Sequence, residues 1–137
     1  MNEHKAPEPD IIGNTGIRKE RGIAHFFAAS RYSFQGFKRL TQESAFRHEL
    51  LAYAGIIVLF AVFGASFNDY LLFSVLAFVL FAVEALNTAI EEIIDRISPE
   101  FSIVAKHAKD LGSFAVFCLL VANAVFVASV VVRTALA

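Results

Sequence analysis

Three long apolar stretches dominate the chain: Leu50–Phe67, Tyr70–Ile94 and Leu111–Leu136. As a helix rising 1.5 Å per residue, the first is about 27 Å long, just enough to cross a hydrocarbon core of roughly 30 Å, and the other two are longer. Ahead of them, residues 22–40 follow another pattern. Ile23, Phe26, Phe27, Phe34 and Phe37 fall within about 100° of one another on a helical wheel, while Arg31, Lys38 and Arg39 lie outside that arc. A basic helix with an aromatic face suits the plane of the headgroups, or else packs on the protein's own bundle. The pattern predicts an all-α membrane protein, with an amphipathic surface helix at 22–40 and spans at 50–67, 70–94 and 111–136.

The second stretch is not uniformly apolar. It carries Glu84, Asn87, Glu91 and Glu92 and ends at Asp95-Arg96. With Glu84 at 0°, Asn87, Thr88, Glu91 and Asp95 fall at about −60°, +40°, −20° and +20°, so they share one face about 100° wide. An ionised carboxylate in mid-bilayer costs roughly 2.5–3.5 kcal/mol on insertion scales, so such residues usually face a protein interior and serve a function. If the span enters from outside near Tyr70, Glu84 lies about 21 Å along the helix and Glu91 about 31 Å. Glu84 then sits below the cytoplasmic surface, within reach of a lipid headgroup, and Glu91 sits at the surface, within reach of a water-soluble ligand. Such a stripe suits chemistry between a soluble donor and a membrane-bound acceptor.

Composition agrees with a membrane protein of one domain. Hydrophobic residues make up 57% of the 137 and mean hydropathy is +0.60, too apolar for an ordinary soluble domain. The formal charge of −1 says little about partners, and no nucleic-acid partner is expected. Its distribution says more. Of 12 Lys and Arg residues, all but Arg96, Lys106, Lys109 and Arg133 precede Leu50, and the connection Asn68-Asp69 has none. The positive-inside rule then places the N-terminus and the connection Asp95–Asp110 in the cytoplasm. Residues 1–21, with Pro7, Pro9, Gly13 and Gly16, read as a flexible tail without a signal-peptide core.

Other chemistries find little support. Cys118 is the only cysteine, which excludes an intrachain disulfide and reads as a small buried hydrophobe. There is no Gly-rich phosphate loop, no Cys/His metal spacing and no Ser-His-Asp arrangement; His4, His25, His48 and His107 are scattered. Glu43 and Glu49, taken alone, read as a solvated face ahead of the first span. Lys109 can hold phosphate oxygens as a point charge, or it snorkels beside a helix-capping Asp110.

Taken together, the stretches Glu84-Ala85-Leu86-Asn87-Thr88-Ala89-Ile90-Glu91, Asp95-Arg96 and Ala108-Lys109-Asp110-Leu111-Gly112-Ser113 resemble the small bacterial integral-membrane diacylglycerol kinases. Tyr32-Ser33-Phe34-Gln35-Gly36 and Glu43-Ser44-Ala45-Phe46-Arg47-His48-Glu49 are similar to that family's N-terminal pattern. The resemblance runs from about Gly22 to the C-terminus. It implies a homotrimer of three-span subunits with shared active sites, in the bacterial inner membrane. The implied reaction moves the γ-phosphoryl group of ATP to diacylglycerol, giving phosphatidic acid.

By the same resemblance, Glu84 is the general base towards the lipid hydroxyl and Asn87 positions the phosphoryl group. Glu43 and Glu91 hold the Mg²⁺ that arrives with ATP, while Tyr32, Asp95, Lys109 and Asp110 contact the nucleotide. Phosphoryl transfer needs little beyond positioning and charge neutralisation, so this set suffices without a P-loop. The sequence departs from the family in two places. His25 stands where an arginine is common, so its part in holding phosphates rests on a mostly neutral imidazole. Lys106-His107 replaces a frequent Gly-Arg. The alternatives are an undecaprenol kinase, which shares the catalytic core; a proton- or cation-coupled transporter, which would favour a single mid-membrane acid; and a non-catalytic membrane adaptor, which has no use for the acidic stripe.

Overall fold

The computed structural model describes residues 23–100 and 102–136, so the expected tail at 1–21 lies outside the described residues. These residues form four helices and no strand: α1 (Ile23–Leu40), α2 (Ser44–Phe63), α3 (Phe67–Ile97) and α4 (Ile103–Ala135). The chain divides into two compact units after Ser33. In the first, α1 is regular, with Ser33 Oγ donating to the Ala29 carbonyl at 3.0 Å. Phe27 and Tyr32 are exposed there.

The second unit holds the three long helices, each long and apolar enough to cross a membrane. Each exceeds the apolar stretch that announces it, because polar residues extend the helices at their ends. α2 begins at Ser44 rather than Leu50, and its first turns place Phe46 in the interior against Phe37 and Phe81, at ring distances of 5.9 and 5.3 Å. Arg47 reaches back to the Gln42 carbonyl at 2.8 Å, which satisfies a backbone acceptor in the tight turn after α1.

The connection between α2 and α3 also differs from expectation. Gly64 ends α2 with φ 68, a left-handed conformation that glycine adopts without a Cβ penalty. Its neighbour Ala65 donates to the Phe60 carbonyl at 2.9 Å. Asn68 and Asp69 therefore belong to α3, and the turn is Gly64–Ser66. Asp69 Oδ2 accepts from the Ser66 backbone N–H at 2.8 Å and bonds its hydroxyl at 2.6 Å, a capping box that starts the helix. Asp69 Oδ1 meets Arg133 at 2.6 Å, so one buried carboxylate ties the start of α3 to the end of α4.

At the other end, Pro99 disfavours helical geometry at Ser98 and stops α3, and Ser102 caps α4 by accepting from Ala105 N–H at 3.5 Å. The connection expected at Asp95–Asp110 therefore shrinks to Ser98–Ser102. Phe60, Phe73 and Val130 form the centre of the bundle, with Tyr53 stacked on Phe73 at 5.4 Å. Aromatic pairs of this kind add about 0.5–1.5 kcal/mol each, and in lipid such packing, not apolar burial, holds helices together. Only 17–28% of each span's most apolar window is buried, so the remaining apolar surface is available to lipid or to other copies. Cys118 lies on that exposed surface, not in the interior the sequence implied.

Candidate active site

The acids of α3 form a gradient along one stripe. Glu84 is 5% exposed and Asn87 is 9% exposed; one turn further Glu91 is half-buried, and Asp95 is exposed. Asn87 sits between the deep and shallow members and donates Nδ2–H to Glu91 Oε1 at 3.0 Å, the i to i+4 reach of a helix face.

Carboxylates from α2 converge on this stripe. Glu91 and Glu43 lie within electrostatic reach of Glu84, and Glu84 within reach of Glu49. Glu43 occupies the position that starts α2, and Arg39 links it to Glu92 of α3. Glu49 is buried, at 9% exposure, with Oε2 lacking a hydrogen-bond partner. Its burial corrects the expected solvated face. With α2 starting at Ser44, Glu49 falls about 60° from Phe46 on the helix, and therefore on the packed side. Among the described residues neither Glu84 nor Glu49 has an ion-pair partner.

Towards the far end of α3 the charges are paired. Arg39 binds Glu43 with Nη1 and Glu92 with Nη2, both at 2.6 Å, thereby linking the end of α1 to α2 and α3. The hydrogen bond to Glu43, helped by the charge of Glu92, holds the guanidinium still more firmly in its charged form. Neither Arg39 nor Glu92 stands out as a site residue in the sequence pattern. The spacing of Arg39 and Glu43 is the available signal, and the turn between them obscures it.

Lys109 pairs with Asp95 across the α3–α4 hairpin, and Lys106 pairs with Asp110 at 2.5 Å. Asp110 lies inside α4, one turn beyond Lys106, and does not cap it; Ser102 does. Asp95, Ser98, Ser102, Lys106, Lys109 and Asp110 line a cleft of about 400 Å³. A second cavity of about 470 Å³ lies between α2, α3 and α4; it is apolar except for Glu49, Tyr53 and Asn123. Tyr32, in the first unit, is exposed, with the Arg31 guanidinium 5.5 Å from its ring centre. The side chain of His25 lies outside the described residues.

Whether Mg²⁺ suits this site turns on its donors. Among the described residues no group of three or more His, Cys, Asp or Glu side chains is arranged for a metal. Glu43 and Glu91 carry hard carboxylate oxygens, the first paired with Arg39 and the second accepting from Asn87, each with an oxygen to spare. One or two carboxylates plus substrate phosphates is the usual way Mg²⁺ is held, so the donors fit an ion that arrives with a nucleotide.

Comparison with known proteins bears on the same segments. The family model for prokaryotic diacylglycerol kinase matches residues 31–132, which include every site residue named above except His25. A diacylglycerol kinase of Sinorhizobium sp is 54% identical over 122 residues, covering 88% of this chain and 89% of its own. A diacylglycerol kinase of Haemophilus influenzae is 35% identical over 103 residues, covering 74% and 87%. One of Escherichia coli K12 is 36% identical over 107 residues, covering 73% and 83%. With its acid stripe, its lysine-lined cleft and these relatives, the chain belongs to the prokaryotic diacylglycerol kinase family and is a membrane kinase.

Proposed function

We propose that this kinase transfers the γ-phosphoryl group of Mg-ATP to the hydroxyl of diacylglycerol, giving phosphatidic acid. The observation that carries the reading is the gradient on α3: a buried carboxylate, Glu84, followed by Asn87, Glu91 and the exposed Asp95 beside a lysine-lined cleft. Glu84 takes the proton of the lipid hydroxyl as its oxygen bonds to the γ-phosphorus, and the bond from that phosphorus to the β–γ bridging oxygen breaks to release ADP. Asn87 orients the phosphoryl group between base and nucleotide. Glu43 and Glu91 would hold Mg²⁺, which neutralises phosphate charge when bound. Lys109 and Asp110, with Asp95, contact the nucleotide, and Lys106 adds a second cation to the same cleft.

The enzyme works as a homotrimer in the bacterial inner membrane, with its N-terminus and active site on the cytoplasmic side. Ala115, Ala122, Ala124 and Ser129 are exposed along α4, where small residues let another copy's backbone approach closely. The unpartnered acids of one chain are also better served by cations from a neighbour. A monomeric mass in detergent with full activity would overturn the assembly. The activity itself is tested with radiolabelled ATP and purified protein in mixed micelles containing either diacylglycerol or undecaprenol. The expected product is labelled phosphatidic acid. Label confined to undecaprenyl phosphate overturns the acceptor, and no transfer to either lipid overturns the reaction.

A further inference from the structure

Glycine inside a helix is disfavoured relative to alanine, so Gly112, ten residues into α4, calls for a reason. Backbone conformation supplies none, since Gly64 is the one described glycine with positive φ. Space does. A Cβ built on Gly112 would overlap Oδ1 of Asn87 and lie 3.3 Å from its Cγ, whereas Gly36 and Gly55 have nothing within 4 Å of such an atom. Asn87 projects from α3 onto the backbone of α4 at the one point where α4 carries no side chain.

The orientation of the Asn87 amide follows from its surroundings. Glu91 Oε1 accepts from Nδ2 at 3.0 Å, which turns Oδ1 towards Gly112. The Gly112 N–H is committed to its own helix, so it has nothing to donate. Oδ1 is accordingly buried without a hydrogen-bond partner. A buried carbonyl oxygen left unpaired costs stability, so the slot at Gly112 is kept for the amide's position and not for a hydrogen bond.

We infer that Gly112 is a positioning residue: its missing side chain leaves room for the Asn87 amide to lie with its oxygen against the α4 backbone and one N–H on Glu91, so that the remaining N–H can meet the transferred phosphoryl group. The inference rests on the proposed role of Asn87 in phosphoryl transfer. A side chain at 112 drives the amide out of its slot, and a displacement near 1 Å at a reacting centre costs about 10²-fold in rate.

The test pairs kinetics with a double-mutant cycle. Gly112→Ala should lower kcat about 10²-fold, with a smaller effect on KM for Mg-ATP, since the amide moves while the lysines of the nucleotide cleft keep their places. Gly112→Ala should also lower Tm in the wild-type background, yet leave Tm unchanged or raise it in an Asn87→Ala background, where the obstructed side chain is gone. An equal fall in Tm in both backgrounds would overturn the contact with Asn87, and a Gly112→Ala enzyme with more than half the wild-type kcat would overturn the positioning role. Should Gly112→Ala fail to fold alone, recovery in Asn87→Ala/Gly112→Ala supports the inference and continued failure refutes it. If Asn87→Ala alone retains full kcat, the role of Asn87 falls, while the Tm cycle still decides the steric claim.

Discussion

Asn87 donates to Glu91 at 3.0 Å, one turn along the same helix, so the buried amide and the half-buried carboxylate are held as a unit. A metal on Glu91 would therefore be felt at Asn87, and the loss of its charge would weaken the nucleotide's Mg²⁺ without unfolding α3. Glutamine at 91 keeps the oxygen that accepts from Asn87 but removes the negative charge. Glu91→Gln should raise the Mg²⁺ concentration needed for half-maximal rate and lower turnover strongly, with thermal stability close to wild type. Unchanged turnover and unchanged Mg²⁺ dependence would remove Glu91 from the metal site.

At the opposite end of the bundle the relation is structural. Asp69 is buried and accepts from Ser66 and Arg133, while Arg133 is largely exposed. The two ends of this pair should not be equivalent. Arg133→Gln removes the ion pair but leaves the Asp69 carboxylate its two bonds from Ser66, so it should cost the smaller share of stability. Asp69→Ala strips the cap of α3 as well as the pair and leaves the arginine without its anion, for a loss of roughly 1–3 kcal/mol. Unfolding followed by denaturant in detergent measures both. Equal losses would show that the capping bonds contribute nothing beyond the ion pair.

Much of this architecture is legible in the sequence because lipid imposes a simple requirement. A span needs a long apolar helix, and the periodicity of Phe27, Phe34 and Phe37 separates α1 from the spans. The acid stripe is legible for the same reason, since Glu84, Asn87 and Glu91 have no ordinary place in a hydrophobic run. The ends of the helices are not. Glu49 looks solvated until Phe46 is known to face inward, and Asp69 looks like a loop residue until Gly64 takes the turn. Arg39 and Glu92 are distant in sequence, and their pairing depends on how the end of α1 meets α3. Gly112 is silent in one dimension, because its reason lies on another helix.

The orientation in the membrane can be tested at sites the structure makes suitable. Asp69 is buried, so the neighbouring Asn68, which is exposed, is the better probe of the turn between α2 and α3. Lys106 is exposed near the other connection. Single cysteines at these positions, in a Cys118→Ala background because Cys118 is itself exposed, should react with a membrane-impermeant thiol reagent from opposite sides. Asn68→Cys is expected to label in intact cells, and Lys106→Cys only after the membrane is opened. Labelling of both from one side is incompatible with three spans.

The most demanding prediction concerns Glu84. It is the most buried acid of the stripe, with no ion-pair partner among the described residues. Two roles compete for such a residue. If it serves only to hold helices together by hydrogen bonding, glutamine has the same shape, retains an oxygen acceptor, and should serve nearly as well. If it takes the proton from the lipid hydroxyl, glutamine cannot, and the loss of a general base costs roughly 10²–10⁴-fold. Glu84→Gln should therefore assemble normally and bind Mg-ATP with near wild-type affinity, while kcat falls into that range. Glu49→Gln is the fitting comparison, because it also removes a buried carboxylate from the same crowded group. If both variants lose activity equally, the effect belongs to the charge of the cluster and not to a base at position 84. A Glu84→Gln enzyme that keeps more than about a tenth of the wild-type kcat lies outside the range for a lost base and returns Glu84 to a structural role.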